Sequence, residues 1–130
     1  MEHLSDEQIG ILRAKLEAEL AELTDRLNAD ARELVENVNP DPGDVEDAAS
    51  ADAMRFRSKS LLDRTRARLA EVEAALDRIE AGSYGICEDT DEPIPFRRLE
   101  LEPTTRYTVE AQEAREAEAE SELGEEPIGY

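Results

Sequence analysis

The feature that most constrains this chain is a helix-breaking turn, Pro40-Asp41-Pro42-Gly43, between two long segments with helical apolar spacing. Proline has no backbone N–H to donate and disfavours helical geometry at the residue before it, so the turn ends any helix that reaches it. The spacing predicts one helix over residues 6–37 and a second from about residue 44 to 81. Two helices of similar length joined by a short turn predict a long antiparallel coiled-coil hairpin.

Each predicted helix carries one stripe of residues, at steps of three or four, that suits the seam between the helices. In the first helix the stripe is Ile9, Leu12, Leu16, Leu20, Leu23, Leu27, Ala31, Leu34 and Val38. In the second helix it is Ala51, Met54, Ser58, Leu61, Thr65, Leu69, Val72, Leu76 and Ile79. Ser5 and Gln8 have the spacing of a capping box for the first helix, and Gly82 is the predicted C-terminal cap of the second.

The pattern changes after Gly82, where glycine, proline and β-branched residues replace the helical spacing. Residues 85–87 and 94–96 are predicted to be short extended pieces, followed by a brief helical turn at 97–100. A last helix is predicted from Thr108 to about Glu122, and whether the acidic tail after Glu116 is ordered stays open. The fold class is therefore mainly α, with a hairpin domain at 1–82, whose acidic tip is 39–49, and a second domain at 83–130.

The charge of the chain limits its partners. Acidic residues outnumber basic ones by 34 to 15, which gives a net charge of −19. Such a field repels nucleic-acid backbones and anionic membranes, so we expect a protein partner and no sequence-specific nucleic acid. With no apolar run of about 18 residues and no signal-peptide pattern at the N-terminus, we expect a cytoplasmic protein without a membrane partner. The oligomeric state stays unknown at this stage.

The chain lacks the residue sets of common catalytic sites. His3 is the single histidine and Cys87 the single cysteine, so no Ser/His/Asp or Cys/His set and no intrachain disulfide is expected. No glycine-rich phosphate loop is present either. We therefore expect a non-enzyme, in which Cys87 is a small buried residue rather than a reactive thiol.

Two stretches carry a family resemblance. The first is Asp44-Val45-Glu46-Asp47-Ala48-Ala49, and the second runs Gly85-Ile86-Cys87-Glu88-Asp89-Thr90, Ile94, Arg97-Arg98-Leu99-Glu100 and Pro103-Thr104. In this order and at this separation they resemble the Asp-Xaa-Xaa-Asp-Xaa-Ala tip and the finger of the DksA/TraR family. The resemblance covers roughly residues 10–115. It implies that 83–130 form a small degenerate zinc-finger-like domain with a C-terminal helix.

The resemblance also implies a function. Members of this family bind bacterial RNA polymerase and insert the coiled coil through its secondary channel, without reading DNA sequence. It therefore implies a transcription regulator of the stringent-response type, whose tip contacts are made by Asp44, Asp47 and Ala49. From the residues alone, the two aspartates are helix-start acids that stabilise a helix dipole, and one side chain can serve both roles.

The finger departs from the family pattern. The four zinc-ligand positions are occupied by Cys87, Thr90, Thr108 and Ala111. Because tetrahedral zinc needs four nitrogen, sulfur or oxygen ligands, we expect no structural zinc, as in the zinc-independent paralogues of this family. The segment would then be held by apolar packing of Ile86, Ile94, Phe96, Leu99, Leu101 and Tyr107.

Some members of the family also form a site for guanosine tetraphosphate (ppGpp) with the polymerase, using basic residues. The corresponding positions here are Glu71, Glu102 and Gln112, so we expect a weakened or absent response to that polyanion. Arg64 and Arg98 stay as candidate contacts to the polymerase or the nucleotide.

Two other functions stay open. A Gre-like transcript-cleavage or elongation factor would use the tip carboxylates of Asp41, Asp44, Glu46 and Asp47 to hold a magnesium ion. A structural coiled-coil adaptor would use the hairpin alone, and substitutions of Asp47 or Ala49 would then leave partner binding and transcription untouched.

Overall fold

The computed structural model describes residues 1–36 and 45–124, with the backbone alone for residues 34, 36, 45–48 and 124. This part of the chain contains four helices: α1 at Asp6–Glu36, α2 at Val45–Ala81, α3 at Phe96–Leu101 and α4 at Val109–Gly124. The predicted extended pieces form only an isolated antiparallel bridge between Ile86 and Pro93. The mainly α fold class is confirmed. No helix within the described ranges has the length and apolar character needed to cross a membrane.

The residue contacts divide the chain into two compact units. The hairpin unit is Ala14–Leu76, and the finger unit is Met1–Arg13 together with Asp77–Tyr130. Helices α1 and α2 therefore each contribute residues to both units. The sequence-based division into 1–82 and 83–130 stays a prediction. The whole predicted turn, residues 40–43, lies within the range 37–44, which is outside the described residues.

The hairpin unit is built from two antiparallel helices. Arg68 on α2 is paired with Glu19 on α1. Further along α1, Asp30 lines the same shallow depression as Leu61, which comes earlier on α2. Later residues of α1 therefore lie beside earlier residues of α2, which confirms the antiparallel hairpin. The buried seam residues of this unit are Leu16, Leu23, Leu62, Thr65, Val72 and Ala75.

The predicted seam of α2 is wrong at two positions. Met54 and Leu61 are 62% and 52% exposed, whereas Leu62 is only 3% exposed. Leu61 and Leu62 both stand at a helical step from Ser58 and Thr65, so the spacing alone does not choose between them. In the structure Leu62 is the residue that packs against α1. Met54 and Arg55 both lie one helical step before Ser58, and of these two Arg55 is half-buried and Met54 is exposed.

The predicted start of α1 and the predicted end of α2 are confirmed. The backbone N–H of Gln8 donates to the Ser5 hydroxyl at 3.0 Å, and the Ser5 N–H donates to the Gln8 side chain at 2.9 Å. This reciprocal pair is the capping box, and it satisfies two amides at the start of α1. At the end of α2, Gly82 has φ +78° and its N–H donates to Ile79, while the Ser83 N–H donates to Arg78. These two bonds form a Schellman cap.

The finger unit is held by a small core around Tyr84, which the sequence analysis did not predict. Tyr84, Cys87, Ile94 and Leu99 are fully buried. The Tyr84 hydroxyl donates to the Pro103 carbonyl at 2.7 Å. Of the residues expected to hold this segment, Ile94 and Leu99 are buried, and Ile86, Phe96 and Tyr107 are half-buried. Leu101 is 78% exposed because the short helix α3 turns only one face towards the core.

Candidate functional site

The predicted tip contacts are only partly described. Asp44 lies outside the described residues. Asp47 belongs to the first turn of α2, and the structure gives its backbone alone. Ala49 is exposed on the same helix. The role of these three residues therefore stays a prediction.

The two candidate basic contacts, Arg64 and Arg98, differ in their surroundings. Arg64 is exposed on α2 and makes no ion pair with the described residues. Arg98 is half-buried on α3, where its Nε donates to the Tyr107 carbonyl at 2.8 Å. Arg64 is thus available to a partner, whereas Arg98 already holds a loop of the finger unit.

The structure brings together the four positions that correspond to zinc ligands, since Thr90 and Thr108 both hydrogen-bond to the Cys87 thiol and Ala111 bonds to Thr108. Cys87, Thr108 and Ala111 are buried, and Thr90 is exposed. The Thr108 hydroxyl lies 3.9 Å from the Cys87 sulfur and accepts a hydrogen bond from the Ala111 N–H at 3.3 Å. Thr108 therefore caps the start of α4 and at the same time contacts the thiol.

Cys87 begins a tight loop that closes on its own backbone. The Cys87 N–H donates to Glu92 at 2.8 Å, and the Asp91 N–H donates to the Cys87 carbonyl at 2.9 Å. Asp91 has φ +58°, a left-handed conformation that aspartate tolerates better than most residues. Burial raises the pKa of the Cys87 thiol, but hydrogen bonds from Thr90, Thr108 and Asp89 outweigh it and lower the pKa to about 7.

These side chains do not fit a structural zinc ion. Cys87 is the one strong ligand of the set, since a threonine hydroxyl is a poor zinc ligand and alanine has no donor atom. In the described ranges, no group of three or more His, Cys, Asp or Glu residues is placed to hold a metal. The Nε2 of His3 is already hydrogen-bonded to the Ile94 carbonyl at 2.8 Å.

A second set of contacts joins the loop that begins at Cys87 to helix α4. Arg115 on α4 donates two hydrogen bonds to Asp89, each 2.6 Å long. Its guanidinium also lies 4.2 Å from the centroid of the Tyr107 ring. The hydrogen bonds from Arg115 hold the pKa of Asp89 below its usual range. Sequence reasoning missed this cluster, although Arg115 is the one basic residue within the α4 sequence.

The three positions that the family resemblance associates with ppGpp binding in some members all make local contacts here. Glu71 accepts a hydrogen bond from Arg68 at 3.4 Å. Glu102 accepts one from the Thr104 hydroxyl at 3.0 Å, and Gln112 donates one to Glu116 at 3.1 Å. None of these three side chains carries a positive charge that could attract a polyanion.

Comparison with known proteins covers most of this chain. Residues 82–117 match the family model of the prokaryotic dksA/traR C4-type zinc finger. The structure of transcription factor DksA2 from Pseudomonas aeruginosa has a TM-score of 0.82 and 34% identity, over 89% of this chain and 88% of that chain.

Two curated relatives are named RNA polymerase-binding transcription factor DksA. The Caulobacter vibrioides protein is 45% identical over 73 residues, which are 56% of this chain and 51% of that protein. The Escherichia coli K12 protein is 26% identical over 109 residues, which are 84% of this chain and 72% of that protein. The match thus spans about half the length of the Caulobacter relative and nearly all of the Pseudomonas structure. With an antiparallel hairpin, a finger-like unit at the matching residues and this structural relative, the chain belongs to the DksA/TraR family.

Proposed function

We propose that this protein regulates transcription by binding RNA polymerase and inserting its coiled-coil tip into the secondary channel, where it modulates initiation. The observation that carries the proposal is the likeness to transcription factor DksA2, which extends over 88% of that chain at 34% identity. Two further relatives bear RNA polymerase binding in their names. In this role the chain performs no catalytic step of its own.

The hairpin supplies the mechanism that we propose for the tip. Two packed helices form a stiff arm, and residues 39–49 lie where the two helices connect. Asp44 and Asp47 would bring carboxylates close to the basic residues and magnesium of the polymerase centre, and Ala49 leaves room for a close approach. Since the net charge of −19 opposes contact with a nucleic-acid backbone, the effect on promoters would act through the polymerase.

Arg64 is the basic residue that we propose as a polymerase contact on the arm. It is exposed and forms no ion pair with the described residues, so binding an acidic partner would break no existing interaction of its side chain. Arg98 has a weaker case, because its Nε already donates to Tyr107. We further propose that ppGpp has little or no effect, since Glu71 and Glu102 would repel it.

We also propose that the finger unit folds without zinc, because one thiol, two hydroxyls and a methyl group do not make a tetrahedral site. Metal analysis of the purified protein tests this directly. We expect no stoichiometric zinc, and one bound zinc ion per chain would contradict the proposal.

The central experiment is in vitro transcription with the cognate polymerase, with and without ppGpp. We expect the wild type to change initiation and the double variant Asp44→Asn/Asp47→Asn to bind polymerase without doing so. Glu46→Gln is the matched control, since it removes one carboxylate from the same helix start without touching the family motif. Equal effects of wild type and double variant would refute the tip mechanism.

A transcript-cleavage assay on stalled polymerase separates this proposal from a Gre-like activity. We expect no stimulation of cleavage, and strong stimulation would favour the cleavage factor. A purely structural adaptor would instead show polymerase binding and transcription unaffected by both Asp47→Asn and Ala49→Thr.

A further inference from the structure

In a four-cysteine finger, the metal joins two ligand pairs that are far apart in sequence. Here those pairs would be Cys87 with Thr90 and Thr108 with Ala111. We propose that an ion pair between Asp89 and Arg115, stacked on Tyr107, performs this cross-linking in place of the metal. This inference concerns the finger unit and does not depend on polymerase binding.

The position of the pair fits the role. Asp89 lies inside the first segment, between Cys87 and Thr90, and Arg115 lies on α4 one helical turn after Ala111. A bond between them therefore ties together the same two segments as the metal would. At the start of α4, Thr108 contacts the first segment through weak hydrogen bonds to the Cys87 sulfur, of which the hydroxyl–sulfur contact is 3.9 Å long.

The geometry is that of a strong ion pair. Arg115 Nε donates to one oxygen of Asp89 and the terminal nitrogen donates to the other, both at 2.6 Å. Such bidentate, charge-assisted bonds are short and directional, so they hold the two partners in one orientation. The guanidinium also lies over the Tyr107 ring at 4.2 Å, where a cation–π contact adds to the attraction.

The neighbouring contacts do not duplicate the pair. The ion pair between Arg106 and Glu88 is a single contact of 3.9 Å. The backbone bond from Glu88 to Arg106, at 2.9 Å, fixes the chain before Thr108 rather than α4 itself. Asp89 and Arg115 are therefore the charge-assisted tie between α4 and the loop, beside the weaker contacts of Thr108 with the Cys87 sulfur.

An ion pair in place of zinc changes which solution conditions weaken the finger unit. A zinc–thiolate site is lost to chelators and to thiol oxidation. The side chains of Arg115 and Asp89 are 50% and 33% exposed, so mobile ions reach them and screen their attraction. The attachment of α4 should accordingly depend on ionic strength and be indifferent to chelators.

Hydrogen exchange on the full chain tests the proposal, with mass spectrometry of peptides covering residues 86–92 and 109–116. Asp89→Asn and Arg115→Gln should each speed exchange of both peptides several-fold, because local opening becomes easier. Residues 58–70 of the hairpin serve as an internal reference and should not change. Glu92→Gln removes from the same loop a carboxylate that forms no ion pair with the described residues, and this variant should exchange like the wild type.

Three further arms distinguish an ion pair from a generally fragile loop. The reversed pair Asp89→Arg/Arg115→Glu should recover a large part of the protection that either single change loses. Raising the salt from about 0.05 M to about 1 M should speed exchange in the wild type and have little effect in the single variants. A chelator should change nothing in any of them. Wild-type exchange in the single variants, no recovery in the reversed pair, or loss of protection with chelator would each overturn the proposal.

Discussion

The hairpin unit and the finger unit obtain their stability in different ways. The hairpin unit buries leucine, valine, alanine and threonine side chains that recur at helical spacing along its seam. The finger unit has one short helix packed by Leu99, a buried tyrosine, and individual hydrogen bonds such as those of Tyr84 and Arg115. A repeated seam tolerates a local shift, whereas an irregular loop depends on particular residues.

Truncating a buried leucine should affect the unit that contains it. Leu16→Ala in the hairpin unit and Leu99→Ala in the finger unit each remove a fully buried side chain and should lower the free energy of unfolding by about 2–5 kcal/mol. Hydrogen exchange should show the loss within residues 14–76 for the first variant and within 84–101 for the second. Leu101→Ala is the matched control, because that side chain is exposed. Equal loss of protection in both units would show that they unfold together and would break the contrast.

Two glycine-to-alanine changes should shift the free energy of unfolding in opposite directions. Gly85 has φ +80°, and a Cβ there would lie 3.1 Å from Leu4 Cδ1 and 3.3 Å from His3 Cε1. Gly85→Ala should therefore lower stability by about 1–3 kcal/mol. Gly10 lies within α1 and a Cβ there meets nothing within 4 Å, so Gly10→Ala should raise stability by about 0.5–1 kcal/mol. Urea unfolding of both variants checks the signs; a stable Gly85→Ala protein would mean that the loop is not tightly specified.

The buried tyrosine should make the finger unit sensitive to alkali. Burial raises the pKa of Tyr84 to about 12, although the charge of Arg78 opposes this. The pKa of Tyr84 in the folded state exceeds the unfolded value of about 10. The neutral hydroxyl therefore makes its full contribution to the stability of the folded state below pH 10. This contribution is lost as the pH rises towards 12. Tyr84→Phe should cost about 1 kcal/mol at neutral pH, through the lost bond to Pro103, and should weaken the alkaline decline. An unchanged decline in the variant would assign it to other groups.

The smallest effect is expected from the ion pair of the hairpin unit. Arg68 donates two hydrogen bonds to Glu19, at 2.6 and 3.2 Å, between side chains that are about one-third exposed. A double-mutant cycle with Glu19→Gln and Arg68→Gln should give a coupling of about 0.5–1 kcal/mol, decreasing at high salt. The pair of Arg26 and Glu22 within α1 is the comparison, and its coupling should be smaller. A coupling larger than the one between Asp89 and Arg115 in the finger unit would mean that the hairpin also depends on individual polar contacts.

Periodic parts of the chain were predicted closely. The start of α1 with its capping box at Ser5, and the end of α2 with its cap at Gly82, follow from local rules that need only neighbouring residues. The last helix was also placed within two residues of its observed bounds. The resemblance to the family finger likewise located the four zinc-ligand positions, three of which lack a cysteine, because a ligand set can be read from residue types.

Contacts between distant residues were not predicted, for a physical reason. Leu61 and Leu62 fit the helical period equally well, and only the packing of α1 against α2 buries Leu62. Tyr84 was overlooked because its partner, Pro103, is 19 residues away. The pair of Asp89 and Arg115 is separated by 26 residues, and each looks like an ordinary surface charge in the sequence.

By itself the sequence determined the helical hairpin, because apolar spacing and helix-breaking residues are local properties, and its resemblance to the family pattern pointed to the DksA/TraR family and to the departures from the zinc-ligand pattern. The tertiary structure alone decided which side of α2 forms the seam, that Tyr84 occupies the centre of the finger unit, and that Arg115 reaches Asp89. These three features depend on which surfaces meet in the folded chain. Where surfaces meet, burial and pairing energies select among residues that are equivalent in the local sequence.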